Sequence, residues 1–186
     1  MPVSLAGSSS ASMHGALVPI ARYLADGTAT GIQFSSIPQT YQDLLIVQYL
    51  RSNRVATTEQ FWQRFNGDEA SNYSFTNLVG NGSTASSNRF SSQTVMNRFD
   101  IPAASSTSGI FGSSIVHILN YRSTSIFKTV LVRSACDLNG SGNTNISVGV
   151  WTNTNAITTL NVATENGSNL VSGSTVHLYG IRTVGQ

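Results

Sequence analysis

The chain has one cysteine and one lysine in 186 residues, and charged side chains make up only 10% of it, against roughly 25% in an ordinary soluble domain. A single thiol excludes an intramolecular disulfide and any multi-cysteine zinc site. Cys136 closes the run Val130-Leu-Val-Arg-Ser-Ala-Cys136, where a thiol reads as a small buried hydrophobe rather than a nucleophile. Acidic groups are too dispersed for acid–base catalysis: Asp26, Asp43, Asp100 and Asp137 stand far apart along the chain. Only Asp68 and Glu69 adjoin. With Asn66 and Asn72 nearby they read as a solvated turn, because the Asp-x-Asp-x-Asp-Gly spacing of a Ca²⁺ loop is missing. No apolar run approaches the ~18 residues of a membrane-spanning helix, so no membrane insertion is expected. No phosphate-cradling glycine loop, dinucleotide fingerprint or Gly-x-Ser-x-Gly elbow occurs. The expectation is a protein that is not an enzyme and needs no cofactor and no metal.

What is abundant is uncharged and polar. Ser, Thr and Asn number 28, 19 and 16, about a third of the chain, which suits an exposed hydrogen-bonding surface and many turns. The net charge of +2 comes from nine arginines and one lysine scattered without a block. Nucleic-acid binders gather positive charge on one face or stripe, so no nucleic-acid partner is expected. His14, His117 and His177 lack ligand-like spacing, although His117 and His177 fall in strand-like runs that would let them pair if those strands were neighbours. Five Asn-x-Ser sequons, at Asn72, Asn81, Asn139, Asn145 and Asn166, are what this composition yields by chance.

Two regions differ in character. Residues 1–27 read as an extended N-terminal arm: Gly7-Ser-Ser-Ser-Ala-Ser12 cannot bury enough apolar surface to order itself, and the apolar run Ala16–Ala25 is interrupted by Pro19. The opening Met1–Ser10 lacks the basic start and apolar stretch of a secretory signal. Residues 28–186 read as one domain of short strands. Candidates are Gly31–Ser35, Asp43–Arg51, Phe61–Asn66, Ser91–Asn97, Ser114–Asn120, Phe127–Ser134, Asn145–Trp151, Ile157–Val162 and Thr175–Ile181. Ile146, Val148 and Val150 share one face of such a strand, with Ser147, Gly149 and Trp151 on the other. Leu44–Val47 is apolar on both faces, as a central strand or one covered by the arm would be. Turn chemistry separates the runs at Asn66-Gly-Asp68, Gly80-Asn-Gly-Ser83, Asn139-Gly-Ser-Gly-Asn143, Glu165-Asn-Gly167 and Ser172-Gly-Ser174. Val55–Gln60 is the one place for a helical turn. Val79–Ser92 and Pro102–Ser113 read as long polar loops that contact a partner. The fold class that follows is all-β: an antiparallel β-sandwich, jelly-roll-like, of about eight to nine strands. Trp62, Tyr73, Phe75 and Trp151, aromatics in polar surroundings, are candidates for glycan or partner contact, although core packing or a subunit interface accounts for the same residues more readily.

Three stretches carry a family likeness: Phe34–Ile46 with Arg51-Ser52; Arg64-Phe-Asn-Gly-Asp-Glu-Ala-Ser-Asn-Tyr-Ser74 running into Gly80-Asn-Gly82; and Gly149–Ile157 with Gly173–Ile181. Together, over about residues 31–182, the chain resembles small virion proteins of tailed bacteriophages, including phages of aquatic bacteria. The resemblance implies a β-sandwich module exposed on the particle and located in the virion after assembly in the host cytoplasm. Its first implied role is a capsid decoration or cement protein, a homotrimer that contacts the major capsid protein or other virion proteins. The alternative is a tail-fibre, tail-tip or collar component that binds host-surface glycan. The family supplies no catalytic residue.

Overall fold

The computed structural model describes residues 16–183. They form twelve strands and no helix: β1 (Leu17–Leu24), β2 (Gly31–Phe34), β3 (Asp43–Leu50), β4 (Thr58–Phe65), β5 (Tyr73–Gly80), β6 (Ala85–Gln93), β7 (Met96–Pro102), β8 (Gly112–Ile118), β9 (Lys128–Asp137), β10 (Gly142–Trp151), β11 (Leu160–Thr164) and β12 (Thr175–Ile181). Two antiparallel sheets result, with strand orders β1-β12-β3-β8-β9-β10-β5-β6 and β2-β11-β4-β7.

The winding is legible in those orders. β1 to β4 alternate between the sheets, and β7 and β8, then β11 and β12, retrace the same alternation. The first four strands of the larger sheet and the four of the smaller one are therefore the two layers of an eight-stranded jelly roll. The remaining four strands are two insertions, β5-β6 after β4 and β9-β10 after β8. They join one another and extend the larger sheet past β8. Of the expected eight to nine strands, Phe127–Ser134 and Asn145–Trp151 fall in the inserted hairpin β9-β10, whereas β1 of the jelly roll and the inserted β5 are not among them.

Alternation decides what is buried. Phe61 and Phe65 of β4, Leu44 and Ile46 of β3, Val116 and Ile118 of β8 and Val176 and Leu178 of β12 point between the sheets and form one core. β3 is an interior strand of the larger sheet, between β12 and β8; its Leu44 and Ile46 are buried in the core, while Leu45 and Val47 stand half-buried on the opposite face. Gly180 is required where it stands: a Cβ there would lie 2.2 Å from the ring of Tyr41. The Asn-Gly turns form as expected; Asn66 and Gly67 both hold positive φ (51° and 65°), the backbone of the tight turns that Asn-Gly favours.

Of the segment expected to form an arm, residues 17–24 are the edge strand β1, paired along β12 from Leu17 opposite Ile181 to Leu24 opposite Thr175. The Ser-rich stretch and His14 lie outside the described residues. Val55–Gln60 is not a helical turn; it bends and enters β4 at Thr58, where β-branched Thr and the aromatics that follow favour a strand. The expected strand Ser91–Asn97 is broken between β6 and β7, with Ser92 and Asn97 at positive φ (54° and 49°).

The chain's one lysine is inside. Lys128 is 0% exposed, and its Nζ donates to the carbonyls of Ile126 (2.8 Å) and Thr154 (3.0 Å), while desolvation lowers its pKa. Cys136 is also 0% exposed. Burial, with Asp100 and Asp137 adding to it, pushes its thiol up to about 12, so it is an inert core residue. Glu59 is a third buried ionisable group; its carboxylate accepts from Asn166 Nδ2 (2.7 Å), Ser168 Oγ (2.6 Å) and the Gln60 amide (2.9 Å), pinning the β11–β12 connection to β4.

Candidate interaction surface

The four aromatic candidates do not form a surface platform. Tyr73, Phe75 and Trp151 are 0%, 1% and 0% exposed because all three stand on the inward face of the inserted strands. Trp151 packs edge-on to Phe65 (5.6 Å) and stacks on Tyr73 (6.3 Å), and its Nε1 donates to Asp68 Oδ2 at 2.7 Å. Trp62 alone is half-buried on the outer face of the smaller sheet, with the Arg64 guanidinium 4.9 Å from its ring centroid. The polar residues between these aromatics in sequence suggested a wet surface, but they alternate outward while the rings turn in.

The Asp68–Glu69 pair separates. Glu69 reaches out to Arg64 (2.7 Å), whereas Asp68 turns in and accepts from Trp151, from Asn72 Nδ2 (2.9 Å) and from the Ala70 amide (3.0 Å). Desolvation pushes the Asp68 carboxyl up, but the hydrogen bonds together outweigh it and hold the group below its ordinary 3.8. The sign follows: stability from this group is present above about pH 4 and is lost as pH falls through the lowered folded-state value. Asp68→Asn is expected to cost about 2 kcal/mol at pH 7, the scale of hydrogen bonds to a charged acceptor. In thermal unfolding curves the deficit should shrink toward pH 2; a constant deficit across that range would contradict the assignment.

His117 and His177 are not neighbours, because β3 runs between their strands: Leu45 pairs with His117 and Val47 with His177. His117 Nε2 lies 3.0 Å from Asp43 Oδ2, and His177 stacks on Tyr179. Among the described residues no cluster of three His, Cys, Asp or Glu side chains is placed to hold a metal, and no helix is long and apolar enough to cross a membrane.

One of the two expected loops is corrected. Val79–Ser92 is mostly strand: it ends β5, turns at Asn81-Gly-Ser-Thr84 and becomes β6, exposed along nearly its whole length. Its Ser-rich composition hid a hairpin in which Arg89 reaches back to Ser74 and Thr76 (both 3.1 Å) and Phe90 stacks on Phe75 (4.7 Å). Residues 103–111 do form a connection, but a clamped one. The buried Arg51 guanidinium donates to the carbonyls of Ser106 (3.0 Å), Thr107 (2.8 Å) and Ile110 (2.8 Å).

The feature that sequence reasoning passed over is the direction of one strand's faces. On β10 the apolar face is the outer one: Ile146 and Val148 are 58% and 46% exposed, while Asn145 and Ser147 are buried. The inversion is confined to β10; on β9 and β5 the apolar Val130, Val132, Tyr73 and Phe75 turn inward, and Leu131 and Leu78 are the large apolar residues that stand outside with it. In one row of the outer face stand Leu78, Ile146, Arg133, Ile115 and Val47, each opposite the next; in the adjoining row stand Val148, Leu131, His117 and Leu45. At ~4.8 Å between strands the first row spans about 19 Å. Leu78, Ile115 and Leu131 are 53%, 36% and 45% exposed. A hollow of about 300 Å³ lies between Leu45, Ile115, His117, Leu131, Arg133 and Ile146. Arg133, in the middle, makes no ion pair among the described residues. Reading which residues share a face was possible from sequence; reading which face is wet required knowing that the insertions lie beyond β8.

No family model and no curated protein matches the chain. Among solved structures it is similar to the galectin LEC-6 of Caenorhabditis elegans, with a TM-score of 0.33 and 8% identity over 87% of this chain and 96% of that one. The β-sandwich assignment stands on the strand orders of the two sheets.

Proposed function

We propose that this chain is a structural, non-enzymatic assembly protein of a tailed-phage particle, a capsid decoration module whose outer apolar sheet face is covered by neighbouring copies in a homotrimer. The observation that carries this reading is the continuous apolar patch on the outer face of the larger sheet, centred on β10. A sheet face meant for water places polar residues outside; on β10 Ile146 and Val148 are outside while Asn145 and Ser147 are buried, and Leu78, Leu131 and Ile115 extend the exposed apolar surface onto β5, β9 and β8. Five half-exposed large side chains, Leu78, Ile115, Leu131, Ile146 and Val148, together gain on the order of 5 kcal/mol when covered, taking about half of the ~1.5–3 kcal/mol for full burial of each. Association costs ~4–15 kcal/mol, so the patch is the centre of a larger contact rather than the whole of it. A neighbour that brings a carboxylate to Arg133 adds a charge-assisted pair at that centre. The phage setting comes from the resemblance of the three sequence stretches.

The glycan-binding alternative loses the features that motivated it, since its aromatic platform is core, one of its loops is a strand and the other is clamped. Particles that lack the chain are expected to lose resistance to heat and osmotic shock. Counting copies against the major capsid protein separates the roles further: hundreds per particle fit decoration, and a few tens or fewer contradict it.

A further inference from the structure

A second feature lies on the opposite face of the same inserted strands. Where β7, the edge of the smaller sheet, meets the inner face of β5 and β10, a cleft of about 100 Å³ opens. Asn77, Asn143 and Asn145 line it from the larger sheet and Gln60, Arg98 and Asp100 from the smaller, with Phe99 beneath. Asn77 and Asn145 are only 9% and 5% exposed, yet neither Oδ1 has a hydrogen-bond partner among the described residues. They stand on adjacent strands as diagonal neighbours, Asn77 opposite Ser147 and Asn145 opposite Val79. Each unpaired buried oxygen costs ~1–3 kcal/mol, and valine would fit either strand position better.

The remaining groups define what would satisfy those oxygens. Asp100 Oδ2 accepts from Asn143 Nδ2 (2.6 Å), tying the two sheets at the mouth. Arg98 is held by Gln93 (2.9 Å) and Glu165 (3.3 Å). An anion would meet the Asp100 carboxylate and a cation would meet the Arg98 guanidinium, so a neutral occupant fits best. Acceptors and donors both line the cleft, beside the apolar Val79 and Phe99, which matches hydroxyl groups on a carbon frame, since each hydroxyl both donates and accepts. The volume equals about three waters at ~30 Å³ each, enough for one edge of a sugar ring and too small for an oligosaccharide.

We propose that the cleft between β7 and the β5–β10 pair binds the hydroxyl-bearing edge of a neutral monosaccharide or polyol. This site is separate from the assembly face and does not depend on it. The test is NMR of the side-chain amides of the full chain, titrated with D-glucose, D-galactose, D-mannose and glycerol. With at least one probe the amide signals of Asn77, Asn143 and Asn145 should move saturably. Asn145→Val should fold, be at least as stable as wild type, and lose the saturable response. Gln60→Ala, at an exposed position of the mouth, should fold normally and weaken binding about tenfold, the effect of one hydrogen bond. Polyols also stabilise proteins by exclusion from the surface, but that response does not saturate and does not single out three amides. No saturable shift with any of the four probes, or one that persists unchanged in both variants, would overturn the proposal and leave the cleft a water-filled seam.

Discussion

Arg51→Met should lower the unfolding free energy by about 3–5 kcal/mol, close to the whole margin of a marginally stable domain. The substitution keeps a long apolar stem where the arginine packs and removes only the guanidinium. Three carbonyls, of Ser106, Thr107 and Ile110, then lose their donor together. Hydrogen bonds from a charged donor are worth ~1.5–3 kcal/mol each; because the three share one group their losses do not simply add. No carboxylate hydrogen-bonds or pairs with Arg51 among the described residues, so the carbonyls carry its solvation. Arg51→Lys should recover less than half of the loss, since a point-charge ammonium cannot reach three acceptors in a fork. Urea denaturation gives the magnitude, and amide exchange in residues 104–111 should rise in the same variants. A cost below about 1 kcal/mol would mean that the connection holds itself without Arg51, and recognition by a free loop would return as an idea.

That clamp also shows where sequence reading ends. Alternation placed Ile146, Val148 and Val150 on one face and marked Leu44–Val47 as a strand, because period-two patterns in β-branched and aromatic runs are local and strong. Asn-Gly and Gly-Ser pairs marked the turns for the same local reason. β6 escaped because Ala85–Gln93 has nearly no apolar residue; it is held by its register with β5 and by the Phe75–Phe90 stack, neither of which is local. For Trp151 both readings, surface contact and core packing, stay open in sequence because its neighbours Thr152 and Asn153 are polar, and core packing holds because its partners Phe65 and Tyr73 come from other strands. The assembly face is the clearest case. Ile146 and Val148 were read correctly as sharing a face, but burial of a face depends on what lies across from it. Only the order β8-β9-β10-β5-β6 shows that those strands run past the body of the smaller sheet and are covered from inside mainly by β7, with Phe65 of β4 reaching Trp151 and Tyr73.

The central claim is that the outer face of the larger sheet is a contact surface. Replacing Leu131, Ile146 and Val148 together by serine removes its apolar centre while touching side chains already 45–58% exposed, so the fold should lose little stability. Single solvent-facing changes of this kind are usually within ~0.5 kcal/mol. Association should respond very differently, because central apolar residues of an interface carry most of its energy. The decisive measurement is multi-angle light scattering of the purified chain and of this triple variant at matched concentration. The account predicts a trimer for the wild-type chain and a folded monomer for the variant. A clean wild-type monomer, or a variant that remains trimeric, would contradict it.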